Sequence, residues 1–242
     1  MLMIKSFFKN NKYIYFLYRR YFFPYFIKQE KEILFLRDFE FKTSVDIGAN
    51  VGTYTVELQK NSRKVICIEP LKENIRYLKH LIKKNVKIYN CGISNKNKSE
   101  YIYVPKLNFN FEYALATLNY KNINTFKQIK RVKIKLKKFD QIVSNLSAIK
   151  DIDFIKIDVE GHELEVLKGM SKFLKKSKPI FLIEIEKKHN VEFNKVFSFL
   201  IKKNYKSYIL KEDQSLININ RTKFKKIVNK KIYNNFFFIS SY

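Results

Sequence analysis

The chain has 242 residues, 46% of them hydrophobic and 16% aromatic, which is enough for one domain with a full core and too apolar for a disordered segment. Its formal charge of +27 invites an anionic partner, yet the 49 basic residues are almost all lysine, which lacks the planar fork used to read bases and grip phosphates; nucleic acid is therefore disfavoured as a partner, and the lysine excess also fits a genome rich in A/T codons. The two cysteines, Cys67 and Cys91, make neither a disulfide framework nor a Cys-x-x-Cys pair, so zinc is not indicated and a reducing, cytoplasmic setting is expected.

Residues 1–42 are basic and aromatic, and charges interrupt each apolar run well short of the ~20 residues that a spanning helix needs. Pro24 ends one helix and begins another. The segment reads either as a helical cap packed on the main domain or as a peripheral contact with an anionic membrane surface. Ile33, Leu34, Leu36 and Phe39 give Glu30–Phe39 the apolar spacing of a helix that leads into the first strand.

The next stretch is Thr43-Ser-Val-Asp-Ile-Gly-Ala-Asn-Val-Gly-Thr-Tyr-Thr55. Val45 and Ile47 end a buried strand, Gly48, Asn50 and Gly52 punctuate a turn, and a helix begins near Thr53. Strand, glycine turn and helix form the entrance of a nucleotide-type site, where free N–H groups face the ligand. The spacing differs from Gly-x-Gly-x-x-Gly, which counts against a nicotinamide-dependent oxidoreductase. Asp46, just before the first glycine, suits a ligand that carries positive charge, such as an amino acid's ammonium or a sulfonium.

Lys64–Glu69 is a short apolar run that ends in an acid. Glu69 stands 23 residues after Asp46, close to the ~20-residue interval at which a carboxylate holds a ribose diol. Leu71–Asn85 is an amphipathic helix, Val86–Asn90 a third strand, and the loop Cys91-Gly92 follows it. Cys91 reads as packing, since no neighbour in sequence would lower its thiol pKa. Glu100–Val104 has strand character, and Pro105–Lys130 reads as a substrate-facing lid. In Arg131–Lys137, apolar Val132, Ile134 and Leu136 alternate with basic residues, so one face of a strand is wet.

Phe154, Ile155 and Ile157 make a buried strand, and Lys156, Asp158, Glu160, His162 and Glu163 crowd its exit. Gathering that many ionisable groups beside a core strand costs stability and marks a site. A helix over Glu163–Lys176 and a strand over Pro179–Glu186 follow, with Glu184 and Glu186 on one face. Three pieces close the chain: a helix over Val191–Lys203, a strand over Tyr205–Leu210 and an apolar strand within Tyr233–Ile239.

Read together, Val45-Asp-Ile-Gly-Ala-Asn-Val-Gly52, Ile68-Glu-Pro70, Phe154-Ile-Lys-Ile-Asp-Val-Glu-Gly-His-Glu163, Leu167-Lys-Gly169, Ile183-Glu184 and Asn235-Phe-Phe-Phe-Ile239 resemble the FkbM family of methyltransferases. The resemblance runs from about Thr43 to the C-terminus. It implies a helical N-terminal extension over 1–42 and a methyltransferase domain over 43–242. The fold it implies is the α/β, class I (Rossmann-like) sheet of seven mostly parallel strands, the last antiparallel, with helices on both faces. It implies S-adenosylmethionine as cofactor and methyl transfer to a hydroxyl oxygen of a sugar, glycan or related metabolite. Carried over by position, Asp46, Gly48, Asn50 and Gly52 hold the methionine part, Glu69 the ribose, and Cys91 and Gly92 border the adenine. Asp158 is the first candidate base, with Glu160, His162 and Glu184 beside it, and no metal is assigned. A lysine-rich protein that binds nucleic acid or a membrane surface on a Rossmann-like scaffold is the reading from another class.

Overall fold

A computed structural model describes residues 30–107, 110–144, 151–189 and 192–241. The basic-aromatic stretch 1–29, with its Pro24 break and its membrane-contact reading, lies outside the described residues. Helix α1 (Lys31–Leu36) leads into β1 (Phe41–Ile47), so the first strand starts two residues before the expected boundary at 43. Helix α2 (Thr53–Asn61), β2 (Ser62–Ile68), α3 (Lys72–Leu81) and β3 (Val86–Tyr89) complete the first half. Short β4 (Gly92–Ile93), long β5 (Lys98–Leu107), β6 (Asn110–Phe111) and β7 (Ile129–Lys137) form a separate four-stranded sheet. The chain continues through α4 (Phe139–Val143), β8 (Ile152–Ile157), α5 (Glu163–Gly169), α6 (Phe173–Lys176), β9 (Ile180–Glu184), α7 (Phe193–Ile201), β10 (Tyr205–Leu210), β11 (Leu216–Ile219), α8 (Arg221–Lys230) and β12 (Asn235–Ser240).

The main sheet has the order β11-β10-β12-β9-β8-β1-β2-β3. β3, β2, β1, β8 and β9 are parallel, and β12 inserts antiparallel between β9 and β10. This is the expected class I methyltransferase sheet, with β11 added antiparallel at the edge as an eighth strand. Both faces are covered, so the central strands are mostly buried. Phe236 and Phe238 join a cluster with Ile155, Ile157, Leu164 and Phe197, while Phe237 between them points to the other face, with Phe154, Leu182, Tyr54 and Leu58. Helices α2 and α5 thus cover opposite faces, which opens a crevice where β1 meets β8, the topological switch point at which ligands enter such sheets.

Other elements depart further from expectation. The single helix expected over Glu163–Lys176 is two, α5 and α6. The break follows Gly169, where a Cβ would stand 2.1 Å from the Ser94 carbonyl oxygen, so the helix end packs backbone to backbone against the segment after β4. The expected lid is partly sheet: β5 pairs with β7 from Lys98 to Pro105, and one-turn 3-10 helices at Tyr113–Leu115 and Tyr120–Asn122 occupy the rest. Finally, β11 and α8 fill a stretch for which the sequence reading offered no element. Among the described residues no helix is long and apolar enough to cross a membrane.

Candidate active site

The carboxyl ends of β1, β2 and β8 are stitched together by main-chain hydrogen bonds. Gly48 N and Ala49 N donate to Ile68 O at 3.0 and 3.2 Å, and Asp158 N donates to Ile47 O at 3.0 Å. Gly48 has φ +82°, and a Cβ there would lie 1.8 Å from the Asp158 carbonyl oxygen. Only glycine allows the two loops to come this close. Above them lies an open cleft at the carboxyl edge of the sheet. Gly48, Asn50, Glu69, Gly92, Asp158, Glu160 and His162 line it. Its apolar wall is Ile102, Ile134 and Leu136 from the small sheet, with Tyr113, Ala116 and Leu118 from the connection between β6 and β7.

The remaining candidates sit behind this surface. Asp46 is buried and accepts a 2.6 Å hydrogen bond from Thr55 Oγ1, which ties the end of β1 to α2. Burial is the main cause that raises its pKa to about 6, against the Thr55 bond. Gly52, with φ +93°, lets α2 start against Leu78. The Cys91 side chain is in the core beside Phe139 and Ile93, and burial lifts its thiol to about 11. Only its neighbour Gly92 reaches the cleft. Glu184 ends β9 and faces Lys156 and Asp158 at the margin of the cleft.

Glu69 is 3% exposed and already accepts three hydrogen bonds: Asn50 N at 2.8 Å, Leu71 N at 2.9 Å and Asn74 Nδ2 at 3.2 Å. A carboxylate has about four acceptor positions, so one remains for a ligand hydroxyl. Burial outweighs these bonds and raises Glu69 to about 7. Asn50, at φ +52°, turns its main-chain N–H to Glu69, while its buried side-chain oxygen has no partner among the described residues. Leaving such an acceptor unpaired costs about 1–3 kcal/mol, a cost that a donor on a ligand in the cleft would relieve.

The opposite end of the cleft is acidic. Glu160, at φ +51°, sits on the turn that Gly161 permits, and its main-chain oxygen accepts from Thr117 Oγ1 at 3.0 Å. Burial first, and then Asp158 and Glu186, raise Glu160 to about 8. His189 Nε2 stands 3.0 Å from Glu160 Oε2, off the line of a hydrogen bond. His162 Nε2 lies 3.0 Å from the Ser94 hydroxyl, and burial lowers its pKa, so the ring is neutral at pH 7. Glu184 is raised by burial and by Asp158. Beneath Asp158 and Glu184 lies Lys156, 1% exposed, at 3.8 and 3.7 Å. Sequence reasoning passed over Asn74, Ser94 and the apolar wall. The wall carried a signal in the alternation of Ile134 and Leu136, but which element that face would meet was not written in it.

Comparison with known proteins places this site in a family. The model of the methyltransferase FkbM domain matches residues 46–207, which span both the glycine turn and the acidic exit of β8. No curated protein matches the sequence significantly. Among solved structures, the chain is similar to methyltransferase FkbM from Methylobacillus flagellatus, at 17% identity and a TM-score of 0.49. That match covers 82% of this chain and 43% of that one, so this chain spans less than half of that protein's length. It is also similar to precorrin-6y C5,15-methyltransferase from Geobacter metallireducens, at 12% identity, a TM-score of 0.44 and coverage of 86% and 85%. TrmK of M. capricolum, solved in complex with S-adenosyl-homocysteine, gives 10% identity, a TM-score of 0.43 and coverage of 87% and 66%. Likenesses this distant carry nothing about substrate, whereas the family model covers most of the chain from the first glycine turn onward: the chain belongs to the methyltransferase FkbM domain family.

Proposed function

We propose that the protein is an S-adenosylmethionine-dependent methyltransferase that O-methylates a hydroxyl of a sugar, glycan or related metabolite. The observation that carries this reading is the meeting, across one cleft, of Asn50 with its unpartnered oxygen, Glu69 with one open acceptor position, and Asp158. When bound, S-adenosylmethionine supplies an electrophilic methyl carbon on a positively charged sulfur. Asn50 Oδ1 would accept a hydrogen bond from the donor's ammonium, and Glu69 would accept one from a ribose hydroxyl. Ile68, Ile93, Ile134 and Leu136 with Gly92 form an apolar part of the lining that would border the adenine.

Asp158 takes the acceptor's proton. Glu160, raised to about 8, holds its own proton at pH 7 and serves as a donor that orients the acceptor. Neutral His162 is engaged with Ser94 on one nitrogen and helps to position the acceptor. An uncharged polyol suits this end of the cleft, since the basic side chains of β7, Lys133 and Lys135, are exposed on the face opposite Ile134 and Leu136. Calorimetry with S-adenosylmethionine and S-adenosyl-homocysteine tests the donor site. Both should bind, and Glu69→Ala should weaken both at least tenfold; a folded protein that binds neither removes the proposal. Asp158→Ala should keep donor affinity within about threefold and lower turnover on a working acceptor by about 100-fold or more.

A further inference from the structure

We propose that Lys156 is the positioning residue of this site, its buried ammonium holding Asp158 and Glu184 as a fixed pair at the reacting end of the cleft. The purpose of this arrangement rests on the methyltransferase reading, but its geometry does not. Lys156 is the penultimate residue of β8 and turns toward the face that carries Phe154, away from Ile155 and Ile157. Among the described residues no other lysine or arginine is buried. Its Nζ lies 3.8 Å from Asp158 Oδ2, 3.7 Å from Glu184 Oε2 and 3.4 Å from Asn235 Oδ1, to which it donates a hydrogen bond. The Tyr54 ring lies beneath it at 4.9 Å.

An apolar side chain of similar length would be expected to serve stability as well or better in such a place. The retained charge therefore points to the two carboxylates it faces. Asp158 and Glu184 keep 36% and 31% of their side chains accessible, so each is open on the side away from the ammonium, and Asp158 lines the cleft. Every element packed around Lys156 contributes a polar group: Glu30 and Glu32 at α1, Asp46 on β1, Tyr54 on α2, Asp158 after β8, Glu184 on β9 and Asn235 on β12. Tyr54 donates to Glu30 at 2.5 Å, which closes the far side of the network. Burial pulls the Lys156 ammonium down, and Asp158, Glu184, Glu30 and Asp46 together outweigh it, so it stays charged. A charged Lys156 sits between the two acids and keeps Glu184 from swinging into the acceptor's place.

The test uses the full chain as Lys156→Met and Lys156→Arg, with carboxyl-carbon NMR titration as the readout and Asp158→Asn and Glu184→Gln as assignments. In Lys156→Met the Asp158 and Glu184 titrations should move up by at least one pH unit, a tenfold gain in proton affinity, and Lys156→Arg should restore most of it. Donor affinity, read by calorimetry on the same samples, should change less than threefold, because Lys156 does not line the cleft. On a working acceptor, the acidic limb of the pH–rate profile should shift with the carboxylates. A folded Lys156→Met whose two carboxylates titrate as in the unmodified chain overturns the proposal. Should that variant fail to fold, the Lys156 ammonium itself is titrated in Asp158→Asn and Glu184→Gln: a lower value in each supports the pairing, and no change in either overturns it. A wild-type chain that shows the coupled titration but binds no donor would remove the methyltransferase reading and leave the pairing standing.

Discussion

Two residues of the glycine turn separate folding from binding. At Gly48 a methyl group would collide with main chain, not with a side chain that could move, and φ is in the left-handed region. Gly48→Ala should therefore cost more than about 3 kcal/mol, seen as a large drop in the urea midpoint. Asn50 gives the opposite expectation. Asn50→Gly keeps the backbone conformation and the N–H that donates to Glu69, and removes a side chain whose oxygen has no partner among the described residues. Stability should change by less than about 1 kcal/mol, while affinity for S-adenosylmethionine falls about tenfold, which is about 1.4 kcal/mol. Unchanged affinity in that variant would show that Asn50 does not hold the donor. Both positions were legible in the sequence as a turn. That one serves the backbone and the other presents an unpaired acceptor was not, because the difference lies in what packs across from each.

Among the elements, the β5–β7 hairpin roofs the cleft from its own sheet and its own apolar cluster, which includes Leu71, Ile102, Val104, Ile134 and Leu136. A unit with a separate core can open without unfolding the rest. Leu136→Ala removes a 2% exposed side chain that packs over Gly92 and should weaken the hairpin by about 2–5 kcal/mol. Hydrogen exchange should then quicken in β5 and β7 while β1, β8 and β9 keep their protection; uniform quickening would show one cooperative unit. The alternation in Arg131–Lys137 revealed a strand. It did not reveal that Pro105 begins inside a ladder, because the partner of a strand is a long-range fact. Helix α8 had a local signal in Phe224, Ile227 and Val228, spaced as one helical face and buried, which a run of lysines obscured.

For the molecule as a whole, the acids of the site set how stability responds to pH. Glu69 and Glu160 are raised in the folded state to about 7 and about 8, above their unfolded values. The folded chain therefore holds more protons than the unfolded one from about pH 4.5 to 8, and stability should fall as pH rises through this window. Each such group contributes up to about 1.4 kcal/mol per pH unit. His162 and His189 are lowered, so below about pH 6.5 they favour the unfolded chain and oppose the carboxylates. Between pH 6.5 and 8 the carboxylates act without that opposition, and the urea midpoint should decline steadily there. Glu160→Gln should flatten the decline; an unaltered slope in that variant would remove Glu160 from the account.

The sequence by itself determined most of the parallel strands and their helices, the glycine turn, the acid after β2 and the crowded exit of β8. These follow from periods of 2 and 3.6 and from residues that only a turn or a site tolerates, all of which act over a few positions. Only the tertiary structure decided that Glu69 has a single acceptor position open, that Cys91 belongs to the core while Gly92 reaches the cleft, and that Lys156 lies beneath Asp158 and Glu184. Each of those facts depends on groups brought together from strands far apart in the chain, and burial and pairing are properties of that assembly, not of the residues one at a time.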